Sequence, residues 1–305
     1  MEKPKIVVVG SSNTDMVVKV PHIPAPGETI LGTEFMTIPG GKGANQAVAA
    51  ARAGADVIFI ACVSDDSFGK QSVENYRNEG IDTSCIKVQP GIHSGIALIN
   101  VAADGENSIA VAPGANNWLF PEDIFGFEAV FEGAKMVLAQ LEVPMETIEA
   151  AAEIAHANGI PFILNPAPGA AIPDSLLSKV TIISPNETEA AIITSRKDFS
   201  ETDILEMANE IFEKSGTTVI LTLGSKGVYL KTFDFERIFR GYKVNVVDTT
   251  AAGDVFNGAI AAVLAEGKDL TEAVDFAQRA AAISVTRMGA QPSAPTLNEI
   301  RKFQF

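Results

Sequence analysis

Ala251-Ala252-Gly253-Asp254 sets three small residues and one carboxylate at what reads as the first turn of a long apolar helix. The first amides of a helix have no intrahelical partner and point at any anion docked there, and glycine permits close approach. A carboxylate beside such a nest should repel a phosphate. Its presence makes sense if a second substrate must give up a hydroxyl proton, so that the turn holds a phosphate and Asp254 takes the proton. The competing reading is an ordinary acidic first turn, which complements the helix dipole by roughly 0.3 to 1 kcal/mol.

Other segments offer matching chemistry. Pro39-Gly40-Gly41-Lys42-Gly43-Ala44-Asn45-Gln46 is a glycine-dense turn opening a helix, so its backbone amides, Lys42 and Asn45 could face one ligand; a tight structural bend is the alternative. Asn13 and Asp15 follow the first strand, and alternate residues of an extended segment point the same way. An amide beside a carboxylate suits a diol, although an Asx turn would use the same letters. Asn186-Glu187-Thr188-Glu189 puts Asn186 and Glu189 one helical turn apart, where Glu189 could hold water on Mg²⁺ or close a capping box. Thr222-Leu223-Gly224-Ser225-Lys226-Gly227 turns tightly after a strand and reads either as a flat approach for a base or phosphate or as an ordinary hairpin. The chain has no Walker A loop and no complete Gly-x-Gly-x-x-Gly, which counts against P-loop kinases and dinucleotide dehydrogenases.

The elements that must position these groups follow a strand-helix rhythm. Ile6 to Val9 is a strand ending at Gly10. Ala44 to Ala53 is a helix closed by Gly54, followed by a strand at Asp56 to Ala61. Pro144 opens a helix through Ala157, and strands follow at Ile160 to Leu164, Ile182-Ile183 and Val219 to Leu223, with a later helix over Ala273 to Thr286. This predicts an α/β fold with a mostly parallel central sheet. Met16 to Val20, Thr29 to Ile38, Gly95 to Val101 and Ser108 to Ala112 alternate or run β-branched, which predicts a small separate sheet serving as a lid over the carboxyl edge.

The chain has 305 residues, 47% of them apolar, and a formal charge of −15, which argues against nucleic acid or an anionic membrane as a partner. Cys62 and Cys85 read as buried free thiols, and no apolar run approaches membrane-spanning length, so a cytoplasmic location is expected. His22, His93 and His156 lack ligand spacing. Trp118 reads as a packing residue.

Taken together, Gly40 to Gln46, Asn186 to Glu189 and Asp248-Thr249-Thr250-Ala251-Ala252-Gly253-Asp254 resemble the signatures of the ribokinase-like carbohydrate kinase family. Asn13-Thr14-Asp15, Leu141-Glu142, Asn165-Pro166-Ala167-Pro168 and Gly289-Ala290-Gln291-Pro292-Ser293 agree in the same order, so the resemblance spans nearly the whole chain. It implies one three-layer α/β/α domain over 1–305, with a β lid from about 14–39 and 93–112 that also pairs two subunits as a homodimer. It implies transfer of the ATP γ-phosphoryl group to O5 of D-ribose, with Asp254 as general base and the amides of Ala251, Ala252 and Gly253 as an anion hole. By carry-over, Asn13, Thr14, Asp15, Gly41, Lys42, Gly43, Ala44, Asn45 and Glu142 would bind the sugar. Asn186, Thr222, Leu223, Gly224, Ser225, Lys226, Gly227 and Gln278 would line the nucleotide site with Gly253 and Asp254. Glu189 would hold Mg²⁺ through water. Asp248, Thr250, Ser284, Arg287, Gly289 and Ser293 would supply oxygens, mostly carbonyls, to a K⁺ ion. The alternatives are a kinase for deoxyribose, a ketohexose or a nucleoside, or a non-catalytic sugar sensor. Ala251 departs from the glycine frequent in the wider family, and its amide is expected to serve equally well at negative φ. Gln278 stands at a position that varies.

Overall fold

The computed structural model describes residues 3–200 and 202–304. β1 (Lys5–Val9) sets the layering: Ile6 and Val8 enter one apolar core and Val7 and Val9 the other, because successive side chains leave a strand on opposite faces. The chain then departs into β2 (Asn13–Val20) and β3 (Glu34–Gly40), and returns through α1 (Lys42–Arg52), β4 (Asp56–Ser64), α2 (Ser67–Asn78) and β5 (Ile86–Gln89). A second excursion gives β6 (Gly95–Ala102) and β7 (Asn107–Ala112). The rest alternates: α3 (Pro121–Gly126), β8 (Met136–Ala139), α4 (Met145–Ala157), β9 (Phe162–Leu164), α5 (Asp174–Leu177), β10 (Ile182–Ile183), α6 (Glu187–Ile193), α7 (Asp203–Ser215) and β11 (Thr218–Thr222). After the hairpin β12 (Gly227–Lys231) and β13 (Glu236–Arg240) come α8 (Ala252–Ala265), α9 (Leu270–Ser284) and α10 (Leu297–Lys302).

Nine strands form the main sheet in the order β13-β12-β11-β10-β9-β8-β1-β4-β5, parallel from β11 through β5, with β12 and β13 antiparallel at one edge. One core is roofed by α3 to α7 and the other by α1, α8, α9 and α10. The four lid strands lie in the order β3-β2-β6-β7, with β2 and β6 parallel and both outer pairs antiparallel. Because β1 pairs with both β4 and β8, the connections leaving its carboxyl end and that of β8 diverge, opening the crevice where α/β sheets bind ligands.

Most predicted elements recur within a residue or two. The helix expected from Ala273 begins at Leu270, because the Asp269 carboxylate accepts the Glu272 amide and caps it. The turn after β11 is a hairpin connection closed by a short 3₁₀ turn at Gly224–Lys226. Cys62 and Cys85 are buried free thiols. Trp118 departs from expectation: it is 42% exposed and leans on Phe120 with ring centroids 6.0 Å apart, since the 3₁₀ turn Gly114–Trp118 that it ends buries Ala115 and Asn116 instead. Among the described residues no helix is long and apolar enough to cross a membrane.

Candidate active site

A cavity of about 670 Å³ lies between the lid and the carboxyl ends of the central strands, and Asn13, Asp15, Gly41, Lys42, Asn45, Glu142 and Asp254 all contribute to its wall. Three chain segments make the floor. Ser11 to Asn13 leaves β1, Gln140 to Glu142 leaves β8, and the start of α1 is wedged between them. The Glu142 carboxylate, at Oε2, accepts the Ser11 hydroxyl at 2.6 Å and the Lys42 amide at 2.9 Å. The Gly43 amide donates to Ser11 Oγ at 3.2 Å and the Ala44 amide to the Ser11 carbonyl at 2.9 Å. Gly41 has φ of 88°, and a Cβ there would stand 2.6 Å from the Asn13 nitrogen. The expectation that this turn offers its amides to a ligand is therefore narrowed: those of Lys42, Gly43 and Ala44 are already used inside the protein, while that of Gly41, on the cavity wall, makes no hydrogen bond among the described residues. Thr14, Gly43 and Ala44 lie behind the cavity wall rather than on it.

Asn13 and Asp15 share one face of β2, as the two-residue period requires, and open into the cavity. Asn116, which sequence reading missed, fixes the Asn13 amide. The Ser12 amide can only donate, so its partner is Asn116 Oδ1, at 2.9 Å; Asn116 Nδ2 then donates to Asn13 Oδ1 at 2.7 Å. Asn13 is left with its own NH₂ as a donor beside the acceptor Asp15. Burial, with help from Glu142 and Asp254 and against the pull of Lys42, pushes the Asp15 carboxyl up to about 7. Lys42 loses hydration by burial, but the carboxylates of Asp254, Glu142, Glu189 and Asp15 outweigh that and hold its ammonium above the ordinary lysine value.

Asp254 is 7% exposed. Its Oδ2 accepts Asn45 Nδ2 and its Oδ1 accepts Gln46 Nε2, both at 2.9 Å. Burial raises its pKa, opposed by Lys42 and the two amides. It sits in the first turn of α8. Ala251 caps this helix at φ 59°, which corrects the expected negative φ; the left-handed backbone turns the preceding loop into the helix. Among the described residues the amides of Ala251, Gly253 and Asp254 make no hydrogen bond, whereas that of Ala252 reaches the Thr249 carbonyl at 3.2 Å. A Cβ on Gly253 would meet nothing within 4 Å. The nest thus keeps two of the three expected amides open and adds that of Asp254 itself.

At the far side of Asp254, Asn186 caps α6. Its Oδ1 accepts the Glu189 amide at 2.8 Å, while Glu189 accepts the Asn186 amide at 2.8 Å and its Nδ2 at 3.0 Å. The capping box is real, and the Glu189 carboxylate is still close enough to Lys42 and Asp254 to feel both charges; burial raises its pKa. Thr222 joins this corner through its amide, which donates to the Pro185 carbonyl at 2.9 Å, beside the bridge between Asn186 and Thr222. Leu223 to Gly227 continue from it, with Gly224, Ser225 and Lys226 exposed. Gly227 packs on the backbone of Phe239, whose carbonyl accepts Gln278 Nε2 at 3.3 Å, so Gln278 borders the same turn.

Behind the start of α8, Asp248 Oδ1 accepts the Thr250 amide and hydroxyl, and Oδ2 accepts the Gly289 amide at 2.8 Å. Burial alone would raise its pKa, but these donors hold it below the usual carboxylate range. The Val285 carbonyl ties the amides of Val247 and Asp248 to the end of α9. The hydroxyls of Ser284 and Ser293 donate to the carbonyls of Ala281 and Ala290, and Arg287 reaches Glu299 at 2.6 Å. The Arg287 guanidinium has no acceptor, so only the backbone oxygen of that residue is suited to a cation, whereas the two serine hydroxyls donate their hydrogens and keep their oxygen lone pairs.

A three-layer α/β/α body with a β lid, a helix start with open amides and a buried carboxylate at their side defines a small-molecule kinase. Residues 3–297 match the pfkB family carbohydrate kinases, and the chain belongs to that family. It is 46% identical over 298 residues to the ribokinase of Haemophilus influenzae, covering 98% of this chain and 97% of that one. A deoxyribokinase of Salmonella typhi is 36% identical over 299 residues, covering 98% of both. The structure of Arabidopsis thaliana ribokinase complexed with ribose and ATP superposes with a TM-score of 0.90 at 31% identity, covering 100% of both chains.

Proposed function

We propose that this chain transfers the ATP γ-phosphoryl group to O5 of D-ribose, giving ribose 5-phosphate and ADP, and that the whole chain works as one kinase domain under its lid. The observation that carries this reading is Asp254: a buried carboxylate on the cavity wall, in a helix start with three open amides and across from a donor-acceptor pair suited to a vicinal diol. Asn13 Nδ2 and the Asp15 carboxylate would bind the 2- and 3-hydroxyls, which favours ribose over deoxyribose, because a site built to pair a hydroxyl loses that pairing when the hydroxyl is absent. Lys42, at 2.9 Å from Glu142 through its amide, keeps its ammonium free to face the sugar or the transferring phosphate. Asp254 would receive the O5 proton during in-line transfer, while the amides of Ala251 and Gly253 receive the developing charge.

Asn186, Thr222 to Gly227 and Gln278 line up along the sheet edge as the nucleotide side. Glu189 fits a hydrated Mg²⁺: its oxygens accept Asn186 donors yet keep lone pairs for water, and the metal when bound neutralises triphosphate charge. Asp248, with carbonyls of Thr250, Ser284, Arg287, Gly289 and Ser293, fits a K⁺ ion that would stiffen the loop behind the nest. The outer face of the lid exposes Phe35 and Leu98, at 61% and 54%, which supports a homodimer formed there. Two free thiols suit a reducing, cytoplasmic setting.

The test is a coupled ADP-release assay over ribose, deoxyribose, a ketohexose and nucleosides, with Na⁺ or K⁺. Ribose should give the highest kcat/KM, and Asp254→Asn should lower kcat by roughly 10² to 10⁴ with ribose affinity nearly unchanged. Near-normal turnover by D254N would remove the base from this scheme.

A further inference from the structure

The two oxygens of Asp254 are held by two amides with different freedom. Gln46 is fully buried and every polar atom of its side chain is engaged. Its two Nε2 hydrogens go to Asp254 Oδ1 and to Asn165 Oδ1, each at 2.9 Å, and its Oε1 accepts Gln140 Nε2 at 2.6 Å. Asn165 is locked in turn, because its Nδ2 donates to the Ser184 carbonyl at 2.9 Å. A carboxylate and a carbonyl can only accept, so this chain of amides has one consistent direction, from Gln140 through Gln46 to the base. Asn45 differs: it lines the cavity, and its Oδ1 is buried without a partner, as expected of a group awaiting a ligand hydroxyl.

We propose that Gln46 is a positioning residue for the base: it pins Oδ1 and thereby assigns Oδ2 as the oxygen that accepts the sugar proton once Asn45 has turned its amide from Asp254 to the sugar. The inference rests on Asp254 acting as the base. In the step itself the O5–H bond breaks and its proton passes to Oδ2, O5 bonds to the γ-phosphorus, and the bond to the bridging oxygen breaks with its electron pair leaving on ADP. Gln46 gains and loses nothing; it stops the carboxylate from rotating away. Gln140 supports it from behind, in a space that exists because residue 10 is glycine: a Cβ there would collide with Gln140 Oε1.

Gln46→Met keeps the side-chain length and removes the hydrogen bonds. In the full-length chain, kcat with ribose should fall about 10- to 100-fold while KM for ribose stays within about threefold. The acid limb of the kcat–pH profile should also move to higher pH, because a carboxylate that loses a donor is protonated more easily. The charges facing Asp254, namely Lys42, Glu142, Asp15 and Glu189, are unchanged by the substitution, so the displacement reports the lost donor. A residue that merely filled space would lower Tm and leave the limb where it was. Wild-type kcat with an unmoved limb overturns the proposal, and D254N separates this failure from that of the base: an inactive D254N with a normal Q46M rejects the role of Gln46 alone. If Q46M does not fold, Gln140→Met decides, since it leaves Gln46 in place but loosens it. A smaller upward displacement of the same limb supports the proposal, and a wild-type profile rejects it.

Discussion

The starts of α1 and α8 both reach the cavity, both contain glycine, and both have amides that their own helices cannot satisfy, yet they spend these features differently. At α1 the amides of Lys42, Gly43 and Ala44 go to Glu142 and Ser11, and the glycines let two backbones touch. At α8 the amides of Ala251, Gly253 and Asp254 stay open and Gly253 faces empty space. A glycine-rich helix start is thus not by itself a ligand nest. The first builds a rigid floor from which Lys42 and Asn45 project side chains; the second leaves backbone donors unpaired.

Paired substitutions should break this comparison if it is wrong. Gly43→Ala puts a methyl group into the backbone of Ser11 and Gly10, neither of which can yield cheaply, and should cost about 3 kcal/mol or more, read as a drop in urea midpoint or as loss of soluble protein. Gly253→Ala has room and sits in a first helical turn, where alanine is favoured by up to about 1 kcal/mol, so its stability should hold or rise. Its activity should not: a methyl group where phosphate must approach should lower kcat/KM for ATP by about tenfold or more. Equal loss of stability in the two variants would mean that both glycines serve packing.

Lid strand β2 carries a pH dependence of its own, beside that of Asp254 at the nest. Asp15 has its carboxyl raised from the ordinary 3.8 to about 7 by burial and by Glu142 and Asp254. Between those values the folded chain holds a proton that the unfolded chain releases, so this group adds stability as pH falls from above 7 toward 4 and removes it as pH rises through 7. Sugar binding should run the other way, since the diol needs the ionised carboxylate: KM for ribose should rise severalfold from pH 8 to pH 6. Comparing Asp15→Asn with the parent, by thermal melts without sugar and by ribose titration, should show both slopes reduced. A parent whose ribose KM is flat across this range would exclude Asp15 as the ionised partner.

Strand rhythm, the lid and the positions of Asn13, Asp15, Lys42, Asn45 and Asp254 were legible because each follows from a period or a punctuating glycine. Gln46, Asn116, Gln140 and Asn165 were not read as part of the site, although Gln46 and Asn165 lay within quoted motifs. Their one local signal is polarity inside otherwise apolar or alanine-rich surroundings, as where Gln140 ends the run Met136 to Ala139, and their worth lies in partners 94 to 208 residues away. The Asn186–Glu189 pair was legible as two alternatives, and geometry makes it a capping box without taking Glu189 out of the site's electrostatics. Which helix start keeps its amides open depends on what neighbouring strands bring to it, and no local pattern encodes that.

The smallest expected effect concerns the single non-glycine residue that the nest holds in a left-handed backbone. Ala251 at φ 59° bears a steric cost of about 1 to 2 kcal/mol, and glycine would remove it while losing roughly 0.5 to 1 kcal/mol to the freedom of the unfolded chain. Ala251→Gly should therefore raise Tm by only about 1 to 3 °C and leave kcat within about twofold, since the amide at 251 keeps its place. A fall in Tm would mean that the Ala251 methyl group makes a contact worth more than its strain. A fall in kcat with Tm raised would be more instructive still: the stiffness of alanine would then be what keeps the open amides aimed at the phosphate, a demand that the closely packed start of α1 meets by contact with its neighbours.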